Sequence, residues 1–141
     1  MSEALTVNGN IHAQNIRYTA ISENDHYGSG DIITLTASAT MGIGDVVFVN
    51  SNGKTALCKA DAIENCPYAF AICVSGSIGA NEAGSFLTKG SLRDDSWNWT
   101  VGGLIFVSTT GTTGNTLTQT IPSGANNVIM PIGLALSADA L

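Results

Sequence analysis

Arg93-Asp94-Asp95-Ser96-Trp97-Asn98-Trp99 is the stretch of this 141-residue chain whose residue types come closest to chemistry. Carboxylates beside tryptophan are the setting of sugar-binding and glycosidase sites, where two acids share the acid and base work. Adjacent residues of a strand point to opposite faces, however, so Asp94 and Asp95 would diverge and could not flank one bond. The plainer reading is a polar turn in which an Asp accepts backbone N–H bonds and Arg93 pairs with one carboxylate. Trp97 and Trp99 would share one face of a strand. Three roles fit them: packing in the domain's own core, a subunit or partner contact, or a platform for carbohydrate.

Nothing else in the chain has the furniture of catalysis. A nucleophile needs an adjacent base, usually histidine, and the two histidines, His12 and His26, both fall in a polar N-terminal stretch. There is no Gly-x-Ser-x-Gly elbow. Gly28-Ser29-Gly30-Asp31 and Gly76-Ser77-Ile78-Gly79 lack the lysine and the helix of a phosphate loop. Asp25, Asp31 and Asp45 do not have calcium-loop spacing. Cys58, Cys66 and Cys73 form no Cys-x-x-Cys pair and have no ligand spacing to either histidine, so they read as three reduced thiols acting as small apolar residues. The expectation is a protein that is not an enzyme and has no cofactor and no metal.

Charged residues make up only 11% of the chain against 44% hydrophobic ones, well below the roughly 25% charge of an average soluble domain. So little charge leaves much neutral surface, which a second copy or a partner would cover. A net charge of −6 with five basic residues argues against a phosphate-backbone partner. No apolar run reaches the ~18 residues of a membrane helix. Met1-Ser2-Glu3-Ala4 has no basic start or apolar stretch, so no signal peptide is expected and synthesis in a cytosol is the default.

These residues must be positioned by strands. Residues 1–30 are polar and glycine-punctuated, with too few apolar side chains to bury a face alone. They read as an arm that orders against another chain, with Ile11, Ile16 and Tyr18 as its candidate contacts. From Asp31 the chain reads as β. Residues 31–37 are β-branched, and residues 45–49 form a strand that turns at Asn50-Ser51-Asn52-Gly53 into a return strand 54–58. Residues 59–65 are the best helical candidate, at most about two turns. Residues 68–74, 84–92 (kinked or bulged at Gly90), 104–108, 116–121 and 128–136 complete the strands. Pro131 within the last one implies an edge or a bulge.

The chain also echoes itself. Gly44-Asp45-Val46-Val47-Phe48-Val49-Asn50-Ser51 reads like Gly102-Gly103-Leu104-Ile105-Phe106-Val107-Ser108-Thr109, and residues 70–75 match 132–137 in character. Two similar β-units are implied rather than a solenoid.

The run from Gly44 to Lys54, the Arg93–Trp99 segment, the strand after it, and Leu117-Thr118-Gln119-Thr120-Ile121-Pro122-Ser123-Gly124 together resemble a β-module of tailed-phage virion proteins. The best match is to small capsid decoration (cement) proteins, and similar modules occur in phage fibre proteins. The resemblance covers about residues 31–141. It implies an all-β fold, a compact β-barrel or β-sandwich (β-tulip-like) of short antiparallel strands with an extended N-terminal arm. It also implies a homotrimer on the outer capsid surface that binds the major capsid protein, made in the host cytoplasm and carried on the virion. Nucleic acid and membrane are not expected partners. Arg93, Asp94, Trp97 and Trp99 would then be subunit or capsid contacts. The alternative is a fibre or receptor-binding tip that presents the tryptophans to a host glycan.

Overall fold

The structure, a computed structural model, describes Thr6, Asn8, Gly9 and residues 25–141. The strands are β1 (Tyr27–Thr36), β2 (Met41–Gly42), β3 (Val46–Val49), β4 (Thr55–Leu57), β5 (Ala71–Cys73), β6 (Ser77–Ile78), β7 (Ala83–Arg93), β8 (Leu104–Val107), β9 (Leu117–Thr118) and β10 (Pro131–Leu134). They build a five-stranded sheet in the order β1-β7-β5-β3-β4, a three-stranded sheet β10-β8-β9 and a small ladder β2-β6. The fold is all-β, antiparallel and sandwich-like, and the described residues close no barrel. Among them, no helix is long and apolar enough to cross a membrane.

The long pair β1–β7 runs in register from Tyr27↔Arg93 to Thr36↔Ala83, with a shift between Asp31 and Ile32. Gly90, expected as the kink, faces Gly30 beside that shift. β1 starts at Tyr27, so residues 27–30, assigned to the arm, belong to the sheet. Ile11, Ile16 and Tyr18 lie outside the described residues.

The echo is a structural duplication. β3 and β8 each sit between a hairpin partner and a later strand. Val46 and Val47 pair with Ile72 and Ala71, as Leu104 and Ile105 pair with Leu134 and Gly133. Phe48 and Val49 pair with Ala56 and Thr55, as Phe106 and Val107 pair with Thr118 and Leu117. Even the connecting turns agree. Asn65 N–H donates to Ala62 O and Asn127 N–H to Gly124 O, both at 3.2 Å. The Asn65 side-chain amide reaches back to Asp61, and that of Asn127 to Ser123 O. The hairpin loop is the main difference, longer in the second unit (108–116 against 50–54). Pro131 sits on the edge strand β10, at a register shift.

A larger core joins both units, with Val46, Ile72 and Leu87 meeting Ile105, Val107 and Ala135. A smaller one gathers Met41, Val47, Ile78 and Phe86 under the β2–β6 ladder. Burying apolar strand faces on each other in this way is the main stabilisation of such a fold.

Two expectations change. The helical candidate 59–65 is a single 3-10 turn, Ile63–Asn65, with no side-chain cap, because so short a segment cannot repay helix nucleation. The cysteines are not three reduced thiols: Cys58 and Cys66 form a disulfide with Cα atoms 4.6 Å apart, and only Cys73 is free. The turn folds the chain back after β4 and brings two buried cysteines together, a proximity that odd cysteine number and linear spacing conceal.

Candidate functional site

The last pair of the β1–β7 ladder, Tyr27↔Arg93, decides what meets at this end of the molecule. Residues entering β1 (Asp25, His26) lie beside residues leaving β7 (Asp94, Asp95). The C-terminal residues join them, since Leu92 and Leu141 exchange both backbone bonds and Asp94 N–H donates to Asp139 O at 2.9 Å.

Arg93 binds two carboxylates. Its Nε donates to Asp95 Oδ1 at 2.6 Å, and its terminal nitrogen lies 3.0 Å from Asp139. The Asp95 hydrogen bond raises the Arg93 pKa above its ordinary value. Asp139 is held below the usual carboxylate range, first by the Ser137 hydroxyl, then by its own backbone N–H and by Arg93. Asp94 points the other way. It is buried, and its Oδ1 accepts Ser96 N–H at 2.8 Å, an Asx turn. Asp25 Oδ1 accepts Asp95 N–H at 2.7 Å. The polar turn read from the sequence is therefore present, and the two adjacent carboxylates take different partners, from a turn and not from the strand expected.

Asp94 meets histidine instead. His26 Nε2 lies 3.4 Å from Asp94 Oδ1, and its Nδ1 lies 3.5 Å from Asp25 Oδ2. One ligand atom from each of Asp25, His26 and Asp94 falls within 4.8 Å of the others. His26 has a left-handed backbone, φ 55°. Nothing in the linear spacing of residues 25, 26 and 94 signals this cluster; strand register creates it.

Trp97 and Trp99 follow the turn and are not in a strand. Their rings are 5.5 Å apart and tilted by 51°, so they make no flat platform. Both are half-buried against the larger core. Trp99 Nε1 is buried and has no acceptor among the described residues. Trp97 packs on Gly44: a Cβ there would lie 2.7 Å from its Cζ2. Of the three roles, core packing is the one their contacts serve.

Next to Gly44, Asp45 is fully buried. Its carboxylate accepts Gly42 N–H at 2.9 Å and Gly114 N–H at 2.8 Å. The Thr116 hydroxyl lies 3.4 Å from it and accepts Val46 N–H at 2.8 Å. Asp45 thus ties the first unit to the long loop of the second. Burial raises its pKa, more than these three bonds lower it.

The fold and this end of it define a small all-β domain of two like units, with a carboxylate–histidine cluster and a tryptophan pair set into its body. No family model, no curated protein and no solved structure matches the chain.

Proposed function

We propose that the protein is a structural virion protein, a homotrimeric decoration (cement) protein that binds the outer surface of a phage head and stabilises it. The observation that carries this reading is a face the duplication leaves uncovered. In the first unit the cross-strand pair Val46↔Ile72 is buried, 1% and 9% exposed, against residues of the second unit. The equivalent pair of the second unit, Leu104↔Leu134, is 53% and 45% exposed. A hollow of about 370 Å³ beside Leu104 is lined also by Phe106 and Ile121. A surface built like a core face but left open is what a subunit contact requires. Low charge and the phage-like sequence pattern point the same way.

As a cement protein it would act by mass action: a molecule that binds only the assembled shell stabilises that shell. Of the arm read over residues 1–30, the part before β1 is the element proposed for the capsid contact. A glycan-binding tip would need the tryptophans outward and coplanar, whereas they pack inward. A glycosidase using Asp94 would need that carboxylate open to a substrate, whereas Asp94 is buried and accepts Ser96 N–H.

Light scattering on the purified protein tests the assembly, with a mass near three times 14.5 kDa expected and a monomer at micromolar concentration overturning it. Decoration of undecorated phage heads, compared between the full chain and a chain starting at Asp25, tests the role of the first residues. Equal binding would refute it.

A further inference from the structure

We infer that Asp25, His26 and Asp94 form a binding site for a divalent transition-metal cation of the zinc class, one that ties the residues entering β1 to the turn before the tryptophan pair. This does not rest on the virion reading.

The donor set comes first. Two carboxylates and one imidazole suit zinc and its first-row neighbours, which take oxygen and nitrogen ligands together. The distances come second. Nε2 of His26 and Oδ1 of Asp94 are 3.4 Å apart, beyond an ordinary hydrogen bond of about 2.7–3.2 Å. Two ligands each about 2.1 Å from a tetrahedral cation are themselves separated by roughly 3.4 Å. All three donor atoms, one per residue, lie within 4.8 Å of one another, so a single cation can reach them with water completing its shell.

Burial is a third and independent observation. The Asp94 side chain is only 8% exposed, yet its charge partner is His26, while the nearby Arg93 is taken up by Asp95 and Asp139. A buried carboxylate is expected to be paired or to bind a metal. The supporting bonds also resemble those around a metal site. Asp94 Oδ1 is fixed by Ser96 N–H, and Asp25 uses Oδ1 on Asp95 N–H, which leaves Oδ2 turned to His26. Outer contacts of this kind orient ligands before the metal arrives.

The test uses the full-length protein, stripped with EDTA and titrated with zinc chloride. Equilibrium dialysis with elemental analysis should give one equivalent of zinc per chain. His26→Ala and Asp25→Asn, both at exposed positions, should each weaken binding by at least about tenfold. Asp61→Asn, at a carboxylate already held by Lys59 and Asn65, should leave it unchanged. At about a hundred times the dissociation constant, zinc should raise the thermal midpoint of the parent protein by roughly 8 °C and leave that of His26→Ala unmoved. Absence of binding at zinc concentrations on the order of 100 μM would overturn the proposal. So would binding that survives His26→Ala and disappears with His12→Ala. A melting point that depends on His26 and pH but not on zinc would overturn it too, and would assign the cluster to a plain ion pair.

Discussion

Gly44 and Gly102 occupy the same place in the two units, with φ 82° and 81°. The Gly44 N–H donates to Cys73 O and the Gly102 N–H to Ala135 O, both at 2.9 Å. The following residues return the bond, Cys73 N–H to Asp45 O and Ala135 N–H to Gly103 O. The turn that starts each unit is thus one design used twice, and its surroundings separate the copies.

That relationship yields a paired experiment. A left-handed backbone costs a non-glycine residue about 1–2 kcal/mol, so Gly102→Ala, whose Cβ meets nothing within 4 Å, should lose only that. Gly44→Ala should lose more, because the added methyl displaces Trp97. Urea denaturation of both variants measures the difference; equal losses would mean that Trp97 does not pack on Gly44.

The tryptophans should behave differently from one another. Trp97→Ala removes a packed ring and should cost about 2–4 kcal/mol of stability. Trp99→Phe deletes the buried Nε1–H that lacks an acceptor among the described residues, a group costing about 1–3 kcal/mol to leave unpaired, so this change should be near neutral or stabilising. A large loss in Trp99→Phe would show that the indole N–H has a partner.

The disulfide closes a loop whose ends are eight residues apart. Chain entropy for such a loop corresponds to about 2.5 kcal/mol, and Cys58→Ala/Cys66→Ala should lose roughly that much. The second unit has Thr120 and Val128 at the equivalent positions and folds alike without a bridge, so the variant should keep its fold. Cys73 should resist thiol reagents in the native state at pH 8, since burial raises its pKa to about 11. Rapid native labelling would contradict that.

Asp45 has a definite sign. Burial raises its native pKa above the ordinary carboxyl range, so the folded state holds its proton more tightly than the unfolded chain. The resulting stabilisation is complete below the unfolded value and is lost as pH rises through the native value. The parent protein should therefore gain stability relative to Asp45→Asn as pH falls from neutral toward 4. Denaturation midpoints that stay parallel across that range would contradict the raised value.

Changing the open pair should act on assembly alone. Leu104→Lys and Leu134→Lys place charge on a face exposed in the single chain, so monomer stability should move by no more than about 0.5 kcal/mol while the proposed trimer should dissociate. Trimers that survive both changes would put the interface elsewhere.

Much of the strand framework was legible in the sequence, because alternation and turn chemistry are local. Asn50-Ser51-Asn52-Gly53 makes the hairpin that its residue types require, with Gly53 at φ 72°. Pro131 fell on an edge strand because proline cannot donate to a ladder. The echo between residues 44–51 and 102–109 pointed to two like units, and the paired register bears this out.

The amino-acid sequence by itself determined the all-β class, the hairpins, the duplication and the polar turn at Asp94–Ser96, all consequences of neighbours within a few residues. Only the tertiary structure decided the rest. It joined Cys58 to Cys66 through one 3-10 turn. It turned Trp97 and Trp99 into the body, buried Val46 and Ile72 while leaving Leu104 and Leu134 open, and set Asp25 and His26 against Asp94. The buried and open pairs and the carboxylate–histidine cluster depend on which strand lies beside which and in what register. That choice is made by burying whole faces together, and no linear spacing records it.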